Sequence, residues 1–223
     1  MLISMVSIAG VDDAGRGPVL GPLVICGLLL ASSKQSALQR LNVRDSKVLS
    51  PRTRETLYGK IIELADAYVI EQIEPETIDQ YVNRRRKFQG LNLLEAEVMA
   101  KILVELKPDV AYIDASDVDE ERFGRWVSQM LPAGIEVVSE HHADRKYPIV
   151  AASSIIAKVT RDREVERLKR DYGDFGSGYA SDPRTRRFLI EYFNKNQAFP
   201  NFVRRSWKTL DNLKNEASQS RLI

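Results

Sequence analysis

Residues 6–30 read VSIAGVDDAGRGPVLGPLVICGLLL. Two apolar runs with β-branched members, at residues 6–12 and 19–30, are joined by a turn rich in Gly and Pro. Runs of this length and composition on either side of turn residues predict a hairpin-like pair of buried strands. The first strand ends on two acidic residues, Asp12 and Asp13, in an otherwise apolar setting.

Further strands and helices are predicted to alternate along the rest of the chain. Apolar runs predict strands at residues 68–73, 110–113 and 135–138. Proline at first helical positions and apolar residues at helical spacing predict helices beginning near residues 51, 75, 91, 148, 183 and 205. This order predicts an α/β sheet covered by helices. We expect one main domain over residues 1–170 and a helical C-terminal extension over residues 171–223, packed on the same domain.

Composition excludes several classes of protein. The chain has 223 residues, of which 43% are hydrophobic and 29% charged, as in a soluble globular protein. With one cysteine and two histidines, it cannot form an internal disulfide or a zinc site with four Cys or His ligands. It has neither a run of about 20 apolar residues, as a spanning helix needs, nor a basic leader. A cytoplasmic location is therefore predicted.

Charge is unevenly distributed along the chain. The net charge is only +2, but residues 158–214 contain 14 Lys and Arg against 8 Asp and Glu. An acidic body with a basic C-terminal quarter suits a polyanion bound beside a cluster of carboxylates. Helix surfaces rich in Lys and Arg give the same pattern, so charge alone does not decide.

Four aspartates stand where a site is expected to form. Asp12 and Asp13 close the first strand, Asp114 closes the strand over 110–113, and Asp144 precedes the helix near residue 148. Ends of strands in an open α/β sheet are where sites assemble. Converging carboxylates repel one another unless hard cations such as Mg²⁺ bind them, and two such ions support phosphoryl displacement. Each aspartate alone is also explained as a cap or turn residue.

The glycine-rich turn after Asp13 is weak evidence by itself. Gly15, Arg16, Gly17 and Pro18 do not have the spacing of a dinucleotide fingerprint, and no Gly-Lys-Ser/Thr follows as in a Walker loop. Glycines let a backbone approach a ligand closely, but a simple hairpin turn explains them equally well.

Taken together, these segments resemble ribonuclease HII, the type 2 ribonuclease H, most closely its archaeal branch. The matching motifs are GVDDAGRGP (10–18), DSK (45–47), YIDA (112–115), EHHAD (140–144), AASSIIAKVTRD (151–162), GSGYASDP (176–183) and RRSWKT (204–209). They occur in order over about residues 6–212.

The resemblance implies an RNase H-like fold, a mixed central β-sheet flanked by helices with a helical C-terminal extension. It implies an endonuclease that uses two divalent metal ions, Mg²⁺ or Mn²⁺, on RNA/DNA hybrids and on single ribonucleotides in duplex DNA. The cut is expected on the 5′ side of the ribonucleotide, leaving 3′-hydroxyl and 5′-phosphate ends. The implied catalytic and metal-binding residues are Asp12, Asp13, Asp114 and Asp144. The implied ribonucleotide sensor is Gly15, Arg16, Gly17 and Tyr179, and backbone groups of this kind can recognise a 2′-hydroxyl.

Other residues carry weaker expectations. Lys47 and Lys158 match family positions near the bound backbone, although Lys47 is equally explained as a solvated lysine. Five arginines are expected on a duplex-binding surface: Arg184, Arg186, Arg187, Arg204 and Arg205. Residues 219–222 resemble half of a sliding-clamp binding peptide, so a weak contact with a clamp is one further expectation. A monomer is the default state.

Two residues depart from the family pattern. The second acid is normally Glu, whereas this chain has Asp13, and archaeal members more often have Lys at the position of His142. Because Asp is one methylene shorter, an alternative is a hybrid-binding form with impaired catalysis. A nuclease of the same fold, such as a resolvase or transposase relative, is a third hypothesis, which the Gly-Arg-Gly turn and Tyr179 disfavour.

Overall fold

The computed structural model describes residues 6–43, 49–84, 89–210 and 213. The chain divides into two compact units. The first contains residues 1–14, 24–72 and 91–160, and the second contains residues 15–23, 73–90 and 161–223.

A five-stranded mixed sheet forms the centre of the first unit in the described part of the chain. The strands are β1 (Ser7–Ala14), β2 (Leu23–Ala31), β3 (Ala67–Ile73), β4 (Val110–Asp114) and β5 (Glu136–Glu140). Their order is β3-β2-β1-β4-β5. β1 pairs antiparallel with β2 and parallel with β4, and β4 pairs parallel with β5. The predicted strand pair and mixed sheet are confirmed.

Helices cover most of the remaining described chain. They are α1 (Gln35–Arg40), α2 (Pro51–Leu64), α3 (Pro75–Arg84), α4 (Gln89–Leu106), α5 (Glu120–Gln129), α6 (Ala143–Lys146), α7 (Pro148–Tyr172) and α8 (Pro183–Asn196). Ser50 caps α2, since its side chain accepts a hydrogen bond from the Thr53 N–H. The helix expected from residue 205 begins later, because residues 205 and 206 form a turn and helical geometry starts at residue 209. None of the described helices is long and apolar enough to cross a membrane.

One core cluster of the first unit lies between the sheet and the N-terminal half of α7. Residues of β1 and β2 such as Ile8 and Leu28 pack with Ile155 and Ile156 of α7 and with Leu57 of α2. The first half of α7 is built from small and apolar residues, so the backbone of β1 approaches this helix closely. A Cβ atom on Gly10 would lie 2.5 Å from the carbonyl carbon of Ile149. The strand that carries Asp12 is therefore held at a fixed short distance from α7.

The second unit has an aromatic core of its own. Phe175, Phe188 and Phe202 contact one another, with ring centroids 5.5 to 6.2 Å apart. Leu20 forms an isolated antiparallel bridge with Val203. Residues 19 and 20, predicted as the start of the second strand, therefore belong to this core, and β2 begins only after Pro22.

Candidate active site

Asp12 is a buried carboxylate in the middle of the sheet. Asp12 is a residue of β1 and pairs with Cys26 of β2, and it is only 4% exposed. The Asp13 N–H donates to Asp12 Oδ1 at 2.7 Å, and the Ser154 side chain of α7 also hydrogen-bonds the Asp12 carboxylate. Burial raises the pKa of Asp12 well above its ordinary value, and the charges of Asp13 and Asp114 raise it further. The three carboxylates therefore share one electrostatic environment.

Asp114 and Asp144 are brought together by the end of β4. β4 pairs with β1 in parallel, with Val11 opposite Ile113. Asp12 and Asp114, the next residue on each strand, therefore lie at the same end of two neighbouring strands. Asp114 Oδ1 accepts the Ala143 N–H at 2.8 Å. Because Asp144 is the next residue after Ala143, this bond fixes the short helix α6 that carries it. Asp144 is itself buried, at 6% exposure.

The donor set fits a hard divalent cation. Like charges around a buried carboxylate are the condition that Mg²⁺ or Mn²⁺ relieves, and oxygen ligands are the kind these ions prefer. Within the described ranges, no three Asp, Glu, His or Cys side chains are arranged as a ready-made metal site. Mg²⁺ is commonly held by one or two carboxylates together with waters and substrate phosphates. The arrangement is thus suited to a metal that binds jointly with a phosphate-containing substrate.

Basic and polar residues accompany the carboxylates in the first unit. Lys158 lies one helical turn after Ser154 on α7, so the two side chains share a face of that helix. Asp144 also lines a cleft of about 940 Å³, together with Arg145, Lys146 and Asn42. These positive charges give a polyanion electrostatic partners beside the carboxylates. Lys47 lies outside the described residues.

The Gly-Arg-Gly turn belongs to the second unit, as does Tyr179. Gly15 has φ of +91°, and a Cβ atom there would lie 2.3 Å from the Arg161 side chain. Only glycine fits this backbone. A Cβ atom on Gly17 would lie 3.2 Å from the Tyr179 ring, which is 47% exposed. The turn and the tyrosine therefore form one surface.

One predicted surface residue is placed differently by the structure. Arg204, expected on a duplex-binding surface, is 0% exposed and donates to backbone carbonyls of the glycine turn. Its neighbour Arg205 is exposed, as expected. Sequence reasoning also missed Ser154, because a serine in an apolar helix gives no signal until its partner is known.

Comparisons with known proteins decide the family. The family model described as ribonuclease HII matches residues 9–210. The chain belongs to the ribonuclease HII family. It is 51% identical over 223 residues to a ribonuclease HII of Thermococcus sibiricus, covering 97% of this chain and 96% of that relative. Members are type 2 ribonucleases H, so the chain is a hydrolytic nuclease.

Solved structures of the family agree with the fold. The ribonuclease H2 of Pyrococcus horikoshii OT3 superposes with a TM-score of 0.88 at 44% identity, covering 96% of this chain and 99% of that one. The ribonuclease HII of Archaeoglobus fulgidus, solved in a complex with PCNA, has a TM-score of 0.83 at 45% identity. The match covers 93% of this chain and 96% of that one. The RNase H-like fold predicted for this chain is confirmed.

Proposed function

We propose that the chain is a metal-dependent endonuclease that cleaves RNA in RNA/DNA hybrids and on the 5′ side of single ribonucleotides embedded in duplex DNA. The products would carry 3′-hydroxyl and 5′-phosphate ends. The observation that carries this proposal is the buried Asp12 carboxylate, whose pKa is raised by burial and by its neighbours Asp13 and Asp114. A structural role alone does not explain three like charges concentrated at one end of the sheet.

In this proposal the residues of the site bind the metal ions, orient the carboxylates and bind the substrate backbone. Asp12, Asp13, Asp114 and Asp144 would hold two divalent ions, Mg²⁺ or Mn²⁺. When bound, such ions activate a water molecule and stabilise the leaving oxygen of an in-line displacement. Ser154 and the Asp13 N–H orient the Asp12 carboxylate. Lys158 supplies a positive charge for the substrate backbone.

Recognition of the ribonucleotide is assigned to the turn of Gly15, Arg16 and Gly17 and to Tyr179. This turn follows in sequence directly after β1, which carries Asp12 and Asp13. The packing of Gly17 against the Tyr179 ring supports a joint role. We propose that the catalytic domain comprises residues 1–170 and that a nucleic-acid binding extension comprises residues 171–223. We also propose that the protein is a monomer.

A contact with a sliding clamp is proposed from a relative. The ribonuclease HII of Archaeoglobus fulgidus was solved in a complex with PCNA. In this chain residues 219–222 are the proposed contact, and they lie outside the described residues.

The Asp13→Glu variant tests the activity and the alternative of an impaired enzyme together. Asp13 carries its carboxylate about 1.5 Å less far than Glu does, and a misplacement of about 1 Å can cost about 10²-fold in rate. We expect the original chain to cut a duplex with one ribonucleotide when Mg²⁺ or Mn²⁺ is present and not in EDTA. The Glu variant should cut faster, by up to about 10²-fold, as measured by initial rates on a labelled strand.

Asp13→Asn is the matched control, since it removes the charge at unchanged length and should be slower than the original chain. Binding without cleavage by the original chain, with cleavage by the Glu variant, would establish the impaired form instead. Absence of a metal-dependent cut by both would contradict the proposed activity.

Tyr179→Ala tests the ribonucleotide sensor. Stacking of a nucleotide on an aromatic ring contributes about 1 to 3 kcal/mol, so cleavage at a single embedded ribonucleotide should fall by about 5-fold to 150-fold. Metal affinity, measured by titration, should stay within about twofold because the carboxylates are untouched. Tyr68→Ala is the control, since Tyr68 has a similar exposure of 45% on β3. Equal loss on all substrates together with collapse of metal affinity would exclude the sensor role.

A further inference from the structure

Arg204 holds the glycine turn by its backbone. The residue is completely buried. Its Nη2 donates to the Gly15 carbonyl at 2.6 Å, its Nη1 to the Arg16 carbonyl at 2.8 Å, and its Nε to the Gly21 carbonyl at 3.1 Å. Hydrogen bonds from a charged donor are stronger than neutral ones. One side chain therefore fixes both the beginning and the end of the connection between β1 and β2.

Trp207 binds the third carbonyl of the turn, that of Gly17. Its Nε1 donates to the Gly17 carbonyl at 3.2 Å, and the Arg204 guanidinium lies 5.1 Å from the centroid of its ring. The carbonyls of Gly15, Arg16 and Gly17 are therefore all directed at the segment 204–207. In a trans peptide the C=O and the following N–H point in opposite directions, and no described peptide bond is cis. The N–H groups of Arg16 and Gly17 thus point away from Arg204.

Asp79 anchors the segment that carries both donors. This residue of α3 accepts the Arg205 N–H on Oδ2 at 2.8 Å and the Ser206 N–H on Oδ1 at 2.8 Å. The Ser206 hydroxyl also donates to Oδ1, at 2.6 Å. The two backbone groups lie between Arg204 and Trp207 in sequence, so the Asp79 carboxylate fixes the chain at the point from which both side chains extend.

We propose that Asp79 is a positioning residue for ribonucleotide recognition, acting through Arg204 and Trp207 on the turn of Gly15, Arg16 and Gly17. The inference rests on the proposed function, because it assigns a supporting structure to the proposed sensor. Asp79 orients segment 204–207, and this segment orients the carbonyls of the turn. The N–H groups of Arg16 and Gly17, opposite the first two of these carbonyls, are thereby held for the sugar of a bound nucleotide. Such precision matters because a displacement of about 1 Å can cost about 10²-fold.

Asp79→Asn and Trp207→Phe test this inference in the full-length protein. Asparagine keeps one acceptor oxygen but places an NH₂ group against a backbone donor. Phenylalanine keeps an aromatic ring and removes the Nε1 donor together with one ring of the indole. Glu76→Gln is the control, since it removes one negative charge from an exposed position of the same helix α3. Dissociation constants are measured in EDTA for two duplexes that differ only in a single 2′-hydroxyl, and the melting temperature Tm is recorded for every variant.

We expect the original chain to prefer the ribonucleotide-containing duplex, and Glu76→Gln to keep that preference within about twofold. Asp79→Asn should reduce the preference by about tenfold and Trp207→Phe by about threefold. A purely structural role would lower the fraction of folded protein and affect both duplexes equally, leaving their ratio unchanged.

The possible outcomes separate this inference from the proposed function. If the original chain prefers the ribonucleotide and both variants retain its full ratio, the role of Asp79 is overturned while the proposed function stands. If the original chain shows no preference, the proposed sensor fails and the inference fails with it. If Asp79→Asn does not fold, the ratio measured for Trp207→Phe decides.

Discussion

Replacing Asp12 by Asn should abolish cleavage while making the metal-free protein more stable. The carboxylate is buried between Ser154, Asp13 and Asp114, so the substitution removes the negative charge and one of the two oxygens of the central ligand expected of a metal site. We expect cleavage of a ribonucleotide-containing duplex to fall by about 10³-fold or more, as for residues that act as one catalytic unit. The amide oxygen can still accept the Asp13 N–H, so the fold is retained.

The pH dependence of stability gives the same substitution a second readout. Because the pKa of Asp12 is raised in the folded state, the folded protein binds this proton more tightly than the unfolded chain does. Stability of the metal-free protein is then lost as pH rises from about 4, the unfolded value, through the folded pKa. The Asp12→Asn variant does not lose stability in this way, because asparagine does not titrate. The Tm of Asp12→Asn minus that of the original chain, both in EDTA, should grow as pH rises above about 4.

Asp109→Asn is a control of opposite sign. Hydrogen bonds from the Ser7 N–H and hydroxyl lower the pKa of Asp109, so its charged form is favoured by folding. Neutralising Asp109 should lower Tm at neutral pH, whereas neutralising Asp12 should raise it. A Tm for Asp12→Asn below that of the original chain at pH 7 in EDTA would contradict the repulsion inferred at the site.

Gly10→Ala should produce the largest loss of stability among single methyl additions to the sheet. The new Cβ would lie 2.5 Å from the carbonyl carbon and oxygen of Ile149 and 2.7 Å from the Val150 nitrogen. These are backbone atoms that no side-chain rotation can move. The Ser153 hydroxyl also donates to the Gly10 carbonyl at 2.8 Å, which holds the two segments together. Overpacking costs about 1 to 3 kcal/mol, and here the upper end is expected.

Thermal unfolding checks this expectation. For a chain of this size 1 kcal/mol corresponds to about 2 to 4 °C, so Tm should fall by about 6 to 12 °C. Gly59→Ala is the matched control, because a Cβ atom at that exposed helical position meets nothing within 4 Å. Alanine there should be neutral or stabilising by up to about 1 kcal/mol. A Tm for Gly10→Ala within about 2 °C of the original would exclude the close approach of β1 to α7.

Strand ends made the carboxylate positions predictable. Asp12 and Asp114 follow apolar runs, and parallel pairing of β1 with β4 brings such ends to one edge of the sheet. Pro51 and Pro183 marked helix starts because proline suits the first turn of a helix. Local sequence carries this information directly. By contrast, α5 was not predicted, since it has no proline at its start and only Asp119 as a cap.

Long-range partners explain what sequence could not provide. Arg204 and Arg205 are adjacent and chemically identical, yet one is buried on the glycine turn and the other is exposed. The difference depends on carbonyls more than 180 residues away in sequence. Asp79 is likewise an ordinary helical acid until its partners at 205 and 206 are known. The spacing and composition of the sequence do not indicate which residues form these long-range hydrogen bonds.

The position of Cys26 gives this protein an intrinsic chemical probe. It is the single cysteine of the chain, lies opposite Asp12 on β2, and is completely buried. Burial, with the nearby Asp12 charge, raises the pKa of its thiol. Because the thiolate attacks the electrophilic reagent, alkylation requires opening of the core cluster in which Cys26 packs with α7 residues such as Ile155 and Ile156. The labelling rate of this one native sulfur therefore measures how often the packing of α7 on the sheet beside Asp12 opens, without any introduced substitution.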